Sequence, residues 1–252
     1  MTTDTKDFDQ LLEKLQKQHE KANLDIYIPT LQDISPSKKI TVEQQTQLLT
    51  GALTQETRKN VFSYNRVITE IILKNCSNPE EINLVDKIPV ALQYRVDTIG
   101  DTITVNDVTL DISNQVNNVF PNIEQKIQHV IDTHQFETDT GITITYSTPP
   151  LYIDYAVNSD AEKKWSDMQG EDIISELFKV EISKYIQQVS FDSDVIPLME
   201  LDFASRMKVC DALPMSCTKH LVDFIEQVKD IENQYVSLSG QVIPMDATLF
   251  GA

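Results

Sequence analysis

The sequence predicts an α+β fold, mainly helical with small antiparallel β-hairpins and sheets, and three observations carry the prediction. Apolar residues recur at helical spacing over long stretches, above all at Ile174, Leu177, Phe178, Ile182, Tyr185, Ile186 and Val189, which gives one apolar face to a 3.6-residue period. Between such stretches lie short runs that alternate with a period of two, the clearest being 103–110 around Asn106-Asp107, the signature of a tight hairpin. The 40% hydrophobic and 24% charged fractions over 252 residues belong to a chain that folds and can bury a substantial core.

Taken in order, residues 6–22 read as a polar, charge-rich helix with a narrow stripe of Phe8, Leu11, Leu12 and Leu15. A stripe this thin cannot fold alone. It docks either on its own domain or on a partner, and Leu11 and Leu15 are the candidate contacts. Asp25-Ile26-Tyr27-Ile28 alternates and stops at Pro29, a short strand followed by a loop through Lys39. Residues 42–53 and 61–73 follow as an antiparallel helix pair. Asp86 is placed to cap a helix over 87–97, because Pro89 then falls in the first turn, where a missing N–H costs nothing; Gly100 is placed to end it. After the hairpin, Pro121 opens a helix with Ile123, Ile127, Val130 and Ile131 on one face.

Residues 142–146 and 151–155 read as strands on either side of Pro149-Pro150. The amphipathic helix of 171–189 begins with Glu171 and Asp172, well placed at its positive end. Helices over 201–213 and 216–235 come next, the second with a stripe of Leu221, Phe224, Ile225, Val228, Ile231 and Tyr235. From 236 to 250 the pattern is alternating and extended, and it ends in Leu249 and Phe250. The expectation is a strand that pairs with a sheet edge, of the same chain or of a partner, with Leu249 and Phe250 as anchors. These elements divide into a polar arm (1–23), a helical region with a hairpin (24–118) and an α+β region with an extended tail (119–252).

Composition also excludes functions. Six glycines leave no G-x-G-x-x-G, G-x-x-x-x-G-K-[ST] or G-x-S-x-G, so phosphate-cradling loops and nucleophile elbows are missing. A net charge of −18 opposes a phosphate backbone, so no nucleic acid is expected as a partner. Cys76, Cys210 and Cys217 are an odd number, the first ten residues lack the regions of a signal peptide, and no apolar run approaches a bilayer span. A soluble protein of a reducing cytoplasm, with no membrane partner, is expected.

Candidate chemistry is thin. Cys210, Cys217 and His220 share a stretch, but the gap between the cysteines does not match paired zinc ligands. Asp192-Ser193-Asp194 opens like a calcium loop, yet Pro197 stands where glycine is needed and Phe203 where a bidentate Glu is needed. His19, His129, His134 and His220 are scattered with no nucleophile in context. No catalytic, cofactor or metal residue is assigned. Trp165, in a charged segment, is either an interface anchor or a core closure behind the helix that starts near Glu171.

Several blocks resemble the baseplate hub assembly proteins of T-even-type contractile-tailed phages. They are Ile26-Tyr27-Ile28-Pro29, Ile40-Thr41-Val42-Glu43-Gln44-Gln45 with Leu48-Leu49 and Ala52-Leu53, and Val85-Asp86-Lys87-Ile88-Pro89 leading through Leu92 and Arg95 to Ile99-Gly100. Further on come Ile182-Ser183-Lys184-Tyr185-Ile186, Leu213-Pro214, Leu221-Val222-Asp223-Phe224-Ile225 with Val228, and Ile243-Pro244-Met245-Asp246 with Leu249-Phe250. The resemblance covers roughly residues 24–252, in order. It implies a non-enzymatic hub subunit or assembly chaperone whose partners are other baseplate hub or tail proteins, placed in the host cytoplasm during assembly and in the tail baseplate if retained. It implies no active site and no cofactor, and it leaves oligomeric state open. The alternatives are a small cytoplasmic enzyme whose site is assembled only in space, and an intracellular adaptor outside phage biology.

Overall fold

The computed structural model describes residues 14, 23–52, 57–165 and 171–251. The polar arm, with Leu11 and Leu15, falls outside the described residues. The fold opens with a hairpin of β1 (Asn23–Ile28) and β2 (Asp33–Lys38), in register from Asn23↔Lys38 to Ile28↔Asp33. β1 matches the expected strand, whereas the expected loop is largely β2. Pro36 is tolerated because the far side of β2 meets only a short stretch, where Pro36 accepts from the Ser77 N–H at 3.1 Å and needs no N–H of its own. The free side of β1 is closed by a side chain. Gln93 accepts from the Tyr27 N–H and donates to the Tyr27 carbonyl, each at 2.8 Å, as a neighbouring strand would.

Helices α1 (Val42–Ala52) and α2 (Thr57–Asn75) form the expected pair. Thr41 and Gln44 make a reciprocal capping box at 3.0 Å each way, which sets the start of α1. Gln44 and Asn75 then exchange amide hydrogen bonds at 3.0 and 3.2 Å, tying the start of α1 to the end of α2. Helix α3 (Lys87–Thr98) has Pro89 in its first turn, as expected. Asp86, however, does not cap it. A 3-10 turn, Leu84–Asp86, runs straight into α3, so the helix has no free end to cap. The capping residue is Asn83, and the Asp86 carboxylate turns back to accept from the Asn83 N–H.

The hairpin of β3 (Thr102–Val105) and β4 (Val108–Asp111) is where the sequence places it, with Asn106 and Asp107 at φ of 48° and 63°. Helix α4 (Gln115–Ile131) corrects the reading of Pro121, which lies inside the helix and not at its start. Buried Gln115 fixes the true start by donating to the carbonyls of Tyr235 and Ser237 at 3.0 Å each. The carbonyl that Pro121 frees belongs to exposed Asn117, where water can take it.

A four-stranded antiparallel sheet of order β5-β6-β7-β8 follows, from β5 (His134–Glu137), β6 (Ile142–Tyr146), β7 (Ile186–Phe191) and β8 (Asp194–Pro197). The expected strand over 151–155 is instead the start of α5 (Leu151–Trp165). Its buried residues include Asp154, Val157 and Ala161, a helical spacing hidden in sequence because one member is charged. The expected helix over 171–189 stops as α6 (Glu171–Tyr185), and Ile186 and Val189 belong to β7. Helices α7 (Phe203–Ala212) and α8 (Met215–Val236) lead to a small hairpin, β9 (Ser237–Leu238) and β10 (Gln241–Val242). The tail then corrects the expected strand, because 247–250 is a helical turn, α9 (Ala247–Phe250). Asp246 starts this turn by accepting from the Thr248 N–H at 2.8 Å.

One buried cluster runs from Ile26 to Phe250 and joins both expected regions. The expected boundary at 118/119 falls inside α4. A smaller cluster of Ile153, Val157, Ala161, Val180 and Met207 lies among α5, α6 and α7.

Candidate protein-binding surface

Most buried ionisable groups are accounted for by structural partners. Asp86, fully buried, accepts from the Thr30 N–H at 3.0 Å, the Thr30 hydroxyl at 2.6 Å and the Asn83 N–H at 2.9 Å. Burial pushes its carboxyl up to about 6 against these hydrogen bonds. It stitches the β1–β2 turn to the start of α3. Lys184 of α6 meets Asp154 of α5 at 2.8 Å and Glu181 at 2.5 Å. Burial opposes the charge on Lys184, but Asp154 and Glu181 outweigh it and hold the ammonium above its usual range. Asp154 is held below its own range, burial being outweighed mainly by Lys184 and Lys87. Glu232 of α8 is raised by burial, with Lys87 opposing.

Of the scattered histidines, His19 lies outside the described residues, and His129, His134 and His220 each pack against another ring. The rings of His129 and His134 lie 4.6 Å apart, His134 stacks on Tyr146 at 5.5 Å, and His220 lies 3.8 Å from Phe136. They cover one face of the sheet together with Phe224, 5.0 Å from Tyr146. A groove of about 290 Å³ beside His129 runs between α4 and α8 and is lined by Lys126, Gln227 and Asp230 among others. Among the described residues no group of three or more His, Cys, Asp or Glu is placed to hold a metal ion. Cys210 and Cys217 are buried, and burial pushes the Cys210 thiol up to about 12, away from thiolate chemistry. No helix among the described residues is long and apolar enough to cross a membrane.

Of the anchors expected from sequence, Leu249 and Phe250 are the ones whose side chains are among the described residues, and neither lies at the surface. Leu249 and Phe250 are fully buried, packed in the chain's own core with Leu48 of α1, and Gln45 donates to the Phe250 carbonyl at 3.3 Å. The helical turn α9 folds both side chains inward, into the core of the same chain and not onto a sheet edge. Trp165 ends α5, and its side chain lies outside the described residues.

Three exposed apolar residues do come together elsewhere, at the turn end of the sheet. β8 is an outer strand, and Val195 and Ile196 are 56% and 40% exposed, with Phe191 of β7 at 50%. Comparison with protein-family models, curated proteins and solved structures returned no match. The surface therefore rests on its own geometry. Sequence reasoning missed it because Asp192-Ser193-Asp194 reads as a failed calcium loop; it is the β7–β8 turn, with Asp192 at φ 53°. The signal that could have found it is Val195-Ile196-Pro197 directly after that turn.

Proposed function

We propose that the chain is a non-enzymatic, protein-binding assembly protein of a contractile phage tail, a component or assembly chaperone of the baseplate hub. The observation that carries the binding role is the apolar end of the four-stranded sheet, where Phe191, Val195 and Ile196 stand exposed on an outer strand and its neighbour. Exposed apolar side chains along an unpaired strand are a common basis for association. The phage assignment rests on the ordered sequence blocks. The most specific of them, Val85 to Pro89, forms the buried junction at which Asp86 ties the first hairpin to α3, a determinant of fold and not a reacting site. On this reading the protein acts in the host cytoplasm, and it enters the particle only if it is a hub component. Mass spectrometry of purified virions, beside affinity capture of the tagged chain from phage-infected cells, tests it. Hub proteins in the captured material are expected. Presence in virions marks a component, absence a chaperone, and capture of no tail protein overturns the reading.

A further inference from the structure

The turn end of the sheet has a consistent chemistry. The register Val189↔Ile196 and Phe191↔Asp194, with Ile144↔Val189 beyond it, puts Phe191 and Ile196 on the same face as buried Ile144 and Val189. That face is covered by α8 at Tyr146 and Phe136, through Phe224 and His220, but Phe191 and Ile196 remain half-exposed. Val195 is exposed on the opposite face. The β8 edge is thus flanked by apolar side chains on both sides.

The strands and turns that build it carry charge of one sign. No Lys or Arg occurs in 132–150 or 186–205, the segments that build the sheet and its turns, whereas Glu137, Asp139, Asp192 and Asp194 are all exposed at the turn end. Lys219 is exposed on the first turns of α8, the helix that covers the sheet. Resting on the reading of this chain as a protein-binding one, we infer that the β8 edge docks an extended segment of a basic protein, in which apolar side chains alternate with Lys or Arg. The apolar residues cover Phe191 and Ile196, cations where the segment runs past the turn end of β8 meet Asp192 and Asp194, and the backbone extends the ladder beyond β8. β8 is only four residues long and ends in Pro197, which has no N–H to offer. The main-chain contribution is therefore small, and apolar contact and charge carry the affinity. A second copy of this chain fits poorly, because its β8 offers no cation to set against Asp192 and Asp194.

The test uses the full chain and a fluorescent peptide of alternating lysine and valine, read by anisotropy. Saturable binding is expected, weakening as salt is raised. The peptide with glutamate in place of lysine should bind about tenfold more weakly or worse. Phe191→Lys and Ile196→Lys should each cost at least about tenfold in affinity with the urea midpoint unchanged. Amide shifts of residues 191–197 on titrating the wild-type chain give a readout that needs no variant. Absence of saturable binding, equal binding of the glutamate peptide, amide shifts elsewhere, or affinity unchanged by both substitutions overturns the proposal. A wild-type dimer that Ile196→Lys dissociates also overturns it, in favour of a second copy. If the peptide fails while the tagged chain still captures hub proteins, the surface assignment falls and the proposed function stands; if the peptide binds and no hub protein is captured, the reverse holds.

Discussion

Thr30→Val is the most informative single change in the interior, because it removes one hydroxyl from a buried carboxylate and little else. The Thr30 hydroxyl donates to Asp86 Oδ2 at 2.6 Å, and the Thr30 N–H, which the substitution keeps, donates to Oδ1 at 3.0 Å. Burial raises the Asp86 carboxyl from 3.8 to about 6. A carboxyl whose pKa is higher folded than unfolded stabilises the fold fully below its unfolded value, and that stability is lost as pH rises through about 6, a loss of about 3 kcal/mol in total. At pH 8 the hydroxyl serves an ionised acceptor, and losing such a bond costs about 2 kcal/mol; at pH 5 the carboxyl is mostly protonated and a neutral bond costs about 1 kcal/mol. Urea unfolding followed by helical circular dichroism at both pH values reads the two losses. A larger loss at pH 8 is expected, together with a rise in the carboxyl pKa because the Thr30 bond lowers it. Equal losses at the two pH values, or a larger one at pH 5, would refute the account of Asp86.

Three further substitutions follow from the same physics. Lys184→Met leaves Asp154 and Glu181 without their cation, 2.8 and 2.5 Å away, and should cost about 3–5 kcal/mol by urea unfolding; a loss under about 1 kcal/mol would contradict the cluster. Arg206 is buried, and among the described residues its Nε and Nη1 have no hydrogen-bond partner and its Nη2 only a 3.4 Å contact to the Met199 carbonyl. Arg206→Met should therefore be neutral or stabilising by about 1–2 kcal/mol, and a clear loss would show that the guanidinium holds the fold. Phe250→Ala should cost about 3–5 kcal/mol because the ring is fully buried against α1; an unchanged melt would return Phe250 to the role of an anchor for a partner.

Sequence made elements legible wherever one local rule decided them. The β3–β4 hairpin was readable because its turn needs two left-handed residues, and Asn106 and Asp107 are among the few that supply them cheaply. α8 was readable because Leu221, Phe224, Ile225, Val228 and Ile231 keep one period and are all buried. Where two rules agreed with the same letters, tertiary contacts decided. Ile186 and Val189 extend the period of α6 and equally suit a strand, and pairing with β6 made them β7. Tyr152 and Ile153 alternate like a strand, yet Asp154 needs Lys184 and Asn158, which only a helix brings to it. Pro121 carried a true preference that burial of Gln115 overrode. The binding surface was least legible. It depends on which strand lies at the edge of the sheet, and an edge is a property of strand order, which no stretch of β8 encodes by itself.

Affinity capture of the tagged wild-type chain beside that of Ile196→Lys in phage-infected cells tests most directly the proposal that this chain binds phage hub proteins through an exposed sheet edge. Ile196 is 40% exposed, so both forms should unfold at the same urea concentration. Wild type is predicted to recover baseplate hub proteins and Ile196→Lys to lose them. Equal recovery by both would contradict the edge as the site, and recovery of no hub protein by either would contradict the function itself.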